Sequence, residues 1–190
     1  MSIEEKIREF RDELRALDPL AMVQRRVTHG SCHVLDDDQY FSLKDAVAKQ
    51  YGIHHSQVVV VGSAKLGFSI APRKRYRAFT ETSDIDVALA SPTLYDAFWL
   101  DAFDYWSRGG EWPYFDDFRQ YHFRGWLRPD KLPTTPAFAR SRDWWDFFRL
   151  LTGSGRYGNI KITGALYKDW AFLESYQRVC FEQCKNELET

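Results

Sequence analysis

The segment from residue 58 to residue 90 reads VVVVGSAKLGFSIAPRKRYRAFTETSDIDVALA, and it carries the two strands around which the rest of the architecture is predicted. Its first four residues, Val58–Val61, form a continuous β-branched run, which predicts a strand buried on both faces of a sheet. Gly62-Ser63 ends that run, and Ile85–Ala90 predicts a second strand. The intervening residues 71–83 are rich in Arg and Lys and predict a long loop.

Hydrophobic periodicity in the rest of the chain predicts mainly helices. The predicted helices cover residues 3–17, 40–50, 92–106, 141–151 and 170–188, and a third strand is predicted over residues 160–166. Ser42 is a candidate cap of the second helix, and Gly52 is its predicted stop. The fold class is therefore predicted as α/β of the α+β kind, with helices packed on a small mixed sheet. We expect one domain over residues 1–190, with a motif core at about 40–106 and a helical, aromatic-rich remainder at 107–190.

Composition excludes several classes of protein. The 26 Lys and Arg residues are balanced by 27 Asp and Glu, so the chain does not bind nucleic acid through overall positive charge. No apolar run approaches the ~20 residues of a membrane span, and the N-terminus is acidic and helical in character, unlike a signal peptide. Three cysteines cannot form a disulfide framework. We therefore expect a cytoplasmic protein with no membrane partner.

Two aspartates at the start of the second strand are the main candidates for chemistry. Strand alternation sends Asp84 and Asp86 to the same side and turns Ile85 into the core. Two neighbouring carboxylates repel each other unless a cation lies between them. Mg²⁺ binds through one or two carboxylates together with water and phosphate oxygens. The pair therefore predicts a platform for Mg²⁺ or Mn²⁺ and a triphosphate.

The turn after the first strand supplies the complementary half of such a site. Gly62 lets a phosphate approach the backbone closely because it has no side chain. Backbone N–H groups and the Ser63 hydroxyl can then hold an anion, the more so if a helix begins there. The alternative for Ser63, a helix cap, is compatible with phosphate binding.

In this combination the chain resembles the DNA polymerase β-like nucleotidyltransferase superfamily, in which a Gly-Ser turn follows one strand and an Asp-x-Asp begins the next. The resemblance covers about thirty residues, and the matching motifs are Val61-Gly62-Ser63-Ala64-Lys65-Leu66-Gly67 and Ser83-Asp84-Ile85-Asp86-Val87. The resemblance implies that Asp84 and Asp86 are the catalytic metal ligands.

The same resemblance assigns the phosphate contacts and the reaction. Gly62 and Ser63 would hold the β- and γ-phosphates, and Lys65 and Ser83 would be secondary triphosphate contacts. The implied reaction is in-line attack of an acceptor hydroxyl on the α-phosphorus of an NTP or dNTP, with release of pyrophosphate. The acceptor stays open among a protein hydroxyl, an RNA end and another nucleotide. Small members of the superfamily occur in bacterial toxin–antitoxin and antiphage defence systems, so a nucleotide signal for an effector protein is one expected product.

The sequence departs from the family pattern in the link between Ser63 and Asp84, which is longer than usual. This loop contains Arg73, Lys74, Arg75 and Arg77. Either it reaches over the triphosphate or an acceptor nucleic acid, or it is a solvated basic loop.

A second departure concerns the third carboxylate that the family carries on a later strand. The matching residues 159–166 contain no Asp or Glu, and Lys161 lies there instead. Asp169 or Glu174, just beyond that strand, could supply the missing ligand. Without it, the alternative is a catalytically impaired module that binds a nucleotide or a partner.

Aromatic side chains are a further candidate for ligand contact. The chain holds seven tryptophans, and such rings can stack on bases. In a domain of this size most large aromatic side chains belong to the core or to interfaces. We therefore expect one aromatic side chain at most to face a nucleobase.

Overall fold

A four-stranded mixed sheet organises the molecule, whose computed structural model describes residues 1–189. Its strands are β1 (Val58–Val61), β2 (Ile85–Ala90), β3 (Trp126–Leu127) and β4 (Ile162–Tyr167). Their order across the sheet is β1-β2-β4-β3. Strand β2 is antiparallel to β1 and parallel to β4, and β3 is antiparallel to β4. The predicted α+β class with a small mixed sheet is confirmed.

Eight α-helices lie within residues 1–189. They are α1 (Ile3–Ala16), α2 (Pro19–Val23), α3 (Asp37–Tyr51), α4 (Gly62–Leu66), α5 (Pro92–Ser107), α6 (Phe115–Phe123), α7 (Ala139–Gly153) and α8 (Trp170–Glu189). The five predicted helices and the three predicted strands are all present, whereas α2, α4, α6 and β3 were not predicted. No helix among these residues combines the length and the apolar composition that crossing a membrane requires.

The start of α3 differs from the prediction because a different residue caps it. Asp36, not Ser42, is the N-cap: its carboxylate accepts the Gln39 backbone N–H at 2.7 Å, and the Gln39 side chain accepts the Asp36 N–H at 3.3 Å. This reciprocal pairing satisfies two backbone donors that a helix start leaves free. Gly52 ends the helix in the left-handed conformation, as predicted.

The two faces of the sheet pack against different sets of helices. Val58 and Val60 of β1 belong to a core that includes residues of α3, α5 and α7. Val59 and Val61 belong to a second core that includes residues of α1, α2 and α8. This alternation explains the unbroken valine run, because both sides of β1 are covered. The α8 face of the sheet is the one that carries the candidate site.

A glycine in β4 allows α7 to pack closely on the sheet. A Cβ atom added at Gly164 would lie 2.2 Å from Cζ of Phe148 and 2.6 Å from Cζ2 of Trp144. Both rings are buried, so neither can move into solvent. The absence of a side chain at this position therefore sets the distance between the helix and the sheet.

We expect Gly164→Ala to destabilise the protein, because the new methyl group would overlap the Phe148 and Trp144 rings. Overpacking of this kind costs about 1–3 kcal/mol, measurable by urea unfolding. The matched control is Gly153→Ala at the end of α7, where an added Cβ meets no atom within 4 Å. Equal unfolding free energies for the two variants would contradict the close packing at Gly164.

Candidate functional site

Strand pairing brings one predicted metal ligand next to the predicted phosphate turn. Asp86 on β2 pairs with Val61 on one side and with Thr163 on the other. Gly62 follows Val61 with a φ of +68°, in the left-handed region that glycine adopts without strain. A Cβ at Gly62 would lie 3.3 Å from Oδ2 of Asp86. The Gly-Ser turn and the Asp86 carboxylate are therefore direct neighbours.

Asp84, the second predicted metal ligand, lies just before β2 and beside the start of β4. The Nζ atom of Lys161 is 3.2 Å from its Oδ2, and the Ile85 N–H donates to the Lys161 carbonyl at 2.8 Å. Both charged side chains are exposed, so this ion pair adds little stability. Asp84 and Asp86 line one cleft, as their alternation predicts.

The electrostatics of the cleft favour a cation beside Asp86. Burial by surrounding protein raises the pKa of the Asp86 carboxyl, and the charge of Asp84 acts in the same direction. A hydrogen bond of 2.7 Å from the Thr163 hydroxyl opposes this rise, as do the charges of Lys161 and Lys74. A divalent cation between the two carboxylates would relieve their repulsion.

The cleft that holds these acids has a volume of about 520 Å³ and two chemically different ends. On the side of Gly62 and Ser63 the lining includes the hydroxyl-bearing residues Ser69, Thr80, Thr82 and Ser83 and the cations Lys74 and Arg77. The other end is formed by Ala165, Tyr167, Trp126, Tyr176, Gln177 and Cys180. The cleft thus offers anion-binding groups at one end and aromatic rings at the other.

The basic loop before β2 is anchored to the rest of the protein, although its residues Arg73, Lys74 and Arg77 are exposed. An antiparallel bridge joins Phe68 to Ala78, and the Ser69 N–H donates to the Arg77 carbonyl at 2.8 Å. The largely buried Arg75 side chain donates to Sγ of Cys184 on α8 at 2.8 Å and forms an ion pair with Glu187 at 3.0 Å. This anchor turns Arg75 away from the cleft, while its neighbours Lys74 and Arg77 line it.

Lys65 is the one predicted triphosphate contact that the structure places elsewhere. Its side chain is only 4% exposed and does not line the cleft. The ammonium group donates to the Gly30 carbonyl at 2.6 Å and lies 4.9 Å from the centre of the Tyr40 ring. Because α4 begins directly after β1, Lys65 comes one helical half-turn past Ser63 and faces the opposite side. The cations that replace it in the cleft are Lys74 and Arg77.

The two acids considered as a third metal ligand are also engaged elsewhere. The Asp169 carboxylate accepts the backbone N–H groups of Ala171 and Phe172 at the start of α8. Glu174 accepts a hydrogen bond of 3.2 Å from the Gln24 side chain. On β4, Thr163 occupies the position beside Asp86. The cleft is therefore built around two carboxylates and a threonine.

The donor set nevertheless fits a hard cation such as Mg²⁺. Within residues 1–189 no group of three or more His, Cys, Asp or Glu residues is arranged to hold a metal ion. Mg²⁺ at phosphate sites is commonly bound by one or two carboxylates, with the remaining ligands supplied by water and phosphate. Asp84 and Asp86 could hold such an ion together with a bound triphosphate.

A larger groove of about 1140 Å³ lies between α5 and α6, away from these acids. Its lining is mainly aromatic and includes Trp99, Phe103, Trp106 and Phe123. Size alone would favour this groove as the binding site. Among residues 1–189, Asp116 is the only carboxylate that lines it, so it lacks the second acid of the predicted Mg²⁺ platform. We therefore assign the chemistry to the smaller cleft.

Sequence reasoning missed the part of the cleft that β4 and α8 contribute. Thr163, Ala165 and Tyr167 alternate along β4 and could be assigned to the cleft only once the register with β2 was known. The signal for Gln177 was present in the sequence. It shares an otherwise apolar helix face with Leu173, Phe181 and Cys184, where a carboxamide needs an explanation.

No protein-family model matches the chain, and comparisons with curated proteins and with solved structures returned no match. The function is therefore inferred from the residues of the cleft and from their chemistry.

Burial lowers the pKa of Lys65 from its ordinary 10.5 to about 8. Between about pH 8 and pH 10.5 the unfolded chain binds more protons at Lys65 than the folded protein does. The free energy of unfolding therefore rises with pH in this range. We expect the unfolding free energy of the wild type, relative to Lys65→Met, to rise by about 1 kcal/mol per pH unit in this range. Urea unfolding at pH 7, 8, 9 and 10 tests this. A constant difference would show that the Lys65 ammonium is not desolvated.

Proposed function

We propose that this protein is a metal-dependent nucleotidyltransferase that transfers NMP from an NTP or dNTP to a hydroxyl acceptor. The observation that carries the proposal is the register of β1, β2 and β4. It puts the Asp86 carboxylate beside Gly62 and, with Asp84, in a cleft that Lys74 and Arg77 also line. Carboxylates and cations in one cleft are what a complex of a divalent metal with a triphosphate requires.

Each residue of the polar end has a separate task in this proposal. Gly62 leaves space for a phosphate group, and the Ser63 hydroxyl donates a hydrogen bond to it. Lys74 and Arg77 bind the phosphate oxygens through charge-assisted hydrogen bonds. Thr163 orients the Asp86 carboxylate by its hydrogen bond of 2.7 Å. Mg²⁺ or Mn²⁺ held by Asp84 and Asp86 would neutralise charge on the phosphates and on the leaving pyrophosphate.

The resemblance to the nucleotidyltransferase superfamily also suggests an acceptor and a cellular role, which we include in the proposal. The acceptor is a protein hydroxyl, an RNA end or another nucleotide, and the protein works in the cytoplasm. A role in bacterial antiphage defence or a toxin–antitoxin pair would use the product as a signal for an effector protein or as a modification of protein or RNA.

One set of contacts favours a second candidate, a module that binds a nucleotide without turning it over. Asp169 is occupied as a helix cap, Glu174 is bound to Gln24, and Thr163 lies beside Asp86. None of these three residues offers a free carboxylate to deprotonate an acceptor hydroxyl. The same cleft would then sense a triphosphate and signal its presence to a partner.

We expect Asp86→Asn to slow pyrophosphate release from labelled NTPs by at least about 100-fold in the presence of Mg²⁺ or Mn²⁺. Removing one charge-stabilising group from a reaction centre typically costs about 10²–10³ in rate. Asp84→Asn should have an effect of the same order. Release of pyrophosphate is measured for all four bases and for ribose and deoxyribose forms.

The matched control for these variants is Glu174→Gln, an acid that contacts Gln24 outside the cleft. It should retain wild-type turnover. If the wild type binds triphosphates and releases no pyrophosphate, the binding module replaces the enzyme as the assignment. If neither binding nor turnover depends on metal, both assignments fail.

The basic loop provides a second test of the same cleft. We expect Arg77→Ala to weaken triphosphate binding by about 10-fold, because one charge-assisted contact is lost. Arg73→Ala is the matched control, since Arg73 is an exposed cation of the same loop that does not line the cleft. Calorimetric titration with tripolyphosphate at low salt compares the two variants. An equal loss of affinity in both variants would show that the loop attracts the anion only through its overall charge and that Arg77 makes no specific contact.

A further inference from the structure

The aromatic end of the cleft contains a buried polar side chain whose hydrogen bonds are not satisfied. Gln177 of α8 is 5% exposed and lines the cleft. Its carboxamide makes no hydrogen bond with any described residue, and it is not among the fully enclosed unpaired groups, so its polar atoms open into the cleft. This carboxamide stands on an otherwise apolar helix face, and only water or a ligand that enters the cleft can pair with it.

A second unpaired donor lies at the same end. The indole Nε1 of Trp126 is buried and makes no hydrogen bond with any described residue. The Trp126 ring is 4.7 Å from the Tyr176 ring and is stacked on Tyr167 at 5.7 Å with an interplanar angle of 7°. Buried indole N–H groups normally have a partner. This end of the cleft therefore combines aromatic rings with hydrogen-bonding groups that no described residue pairs with.

The position of this end fits the far part of an extended ligand. Thr163 and Tyr167 lie on the same face of β4, four residues apart, and Thr163 pairs with Asp86. At the rise of a β-strand this spacing corresponds to roughly 13 Å. A ligand with phosphates beside Gly62 could therefore place a planar ring against Trp126 and Tyr176.

We propose that the pocket formed by Trp126, Tyr167, Tyr176 and Gln177 binds the base of the nucleotide and that Gln177 determines which base is preferred. This inference rests on the proposed function, because it places the triphosphate at the Gly62 end of the same cleft. A carboxamide presents one acceptor and two donors side by side, which matches the adjacent donor and acceptor groups on the edge of a nucleobase. The aromatic rings supply stacking that every base can use.

The test compares nucleotides with inorganic tripolyphosphate, which has no base. Equilibrium dialysis with Mg²⁺ measures the affinities of ATP, GTP, CTP, UTP and tripolyphosphate for the wild type and for Gln177→Leu. We expect the wild type to bind at least one nucleotide about 10-fold more tightly than tripolyphosphate. Gln177→Leu should lose that advantage, through a fall of about 10-fold in nucleotide affinity, and keep its affinity for tripolyphosphate.

Two controls separate base recognition from a change in folding. Gln183→Leu alters an exposed carboxamide of the same helix and should bind every ligand as the wild type does. The free Gln177→Leu protein should unfold at an equal or higher urea concentration, because no described residue pairs with the amide that is removed. A lower unfolding midpoint would show that Gln177 has a structural partner and would overturn the proposal.

Three further results of the dialysis experiment test the base pocket. If all four nucleotides bind no more tightly than tripolyphosphate, or if Gln177→Leu weakens both equally, the base pocket is wrong. If the wild type binds nucleotides with the expected preference and transfers none of them, the pocket stands and the transferase activity fails. If tripolyphosphate does not bind at all, the same comparison is made with the four nucleosides, and absence of a Gln177-dependent preference overturns the proposal.

Discussion

Strand β2 hydrogen-bonds to β1 on one side and to β4 on the other, and this pairing puts Asp86 between Val61 and Thr163. The chemistry of the cleft depends on that register. A slip by one residue would turn Asp86 into the core and expose a residue such as Val87, because side chains alternate along a strand. The apolar faces on both sides of the sheet prevent the slip. Core packing therefore positions the carboxylate.

Helix α8 connects the distant parts of the site. It supplies the buried Gln177 and the exposed Tyr176 to the aromatic end of the cleft, and Cys184 and Glu187 further along hold Arg75 of the basic loop. One rigid element thus fixes the ring pocket and the loop that carries the phosphate-binding cations. Such a link between a loop and a helix more than 100 residues away reduces the motion of an exposed segment.

The distribution of acids defines what the cleft can do. Asp84 and Asp86 provide oxygen ligands for one divalent cation and a phosphate chain, and this is the part that binding requires. Transfer additionally needs a group that accepts the proton of the attacking hydroxyl. The first acids after β4, Asp169 and Glu174, are engaged as a helix cap and in a hydrogen bond with Gln24. Binding and turnover therefore depend on different parts of the molecule and can be lost separately.

The sequence by itself determined the strands, most helices and the pairing of Asp84 and Asp86 with the Gly-Ser turn, because these follow from local periodicity and from alternation along single strands. It could not determine the direction of Lys65, which depends on the short helix that follows β1. It also could not assign Lys74, Thr163 and Gln177 to the cleft. Those contacts join segments far apart in the chain, and only the tertiary packing of β4, α8 and the basic loop brings them together.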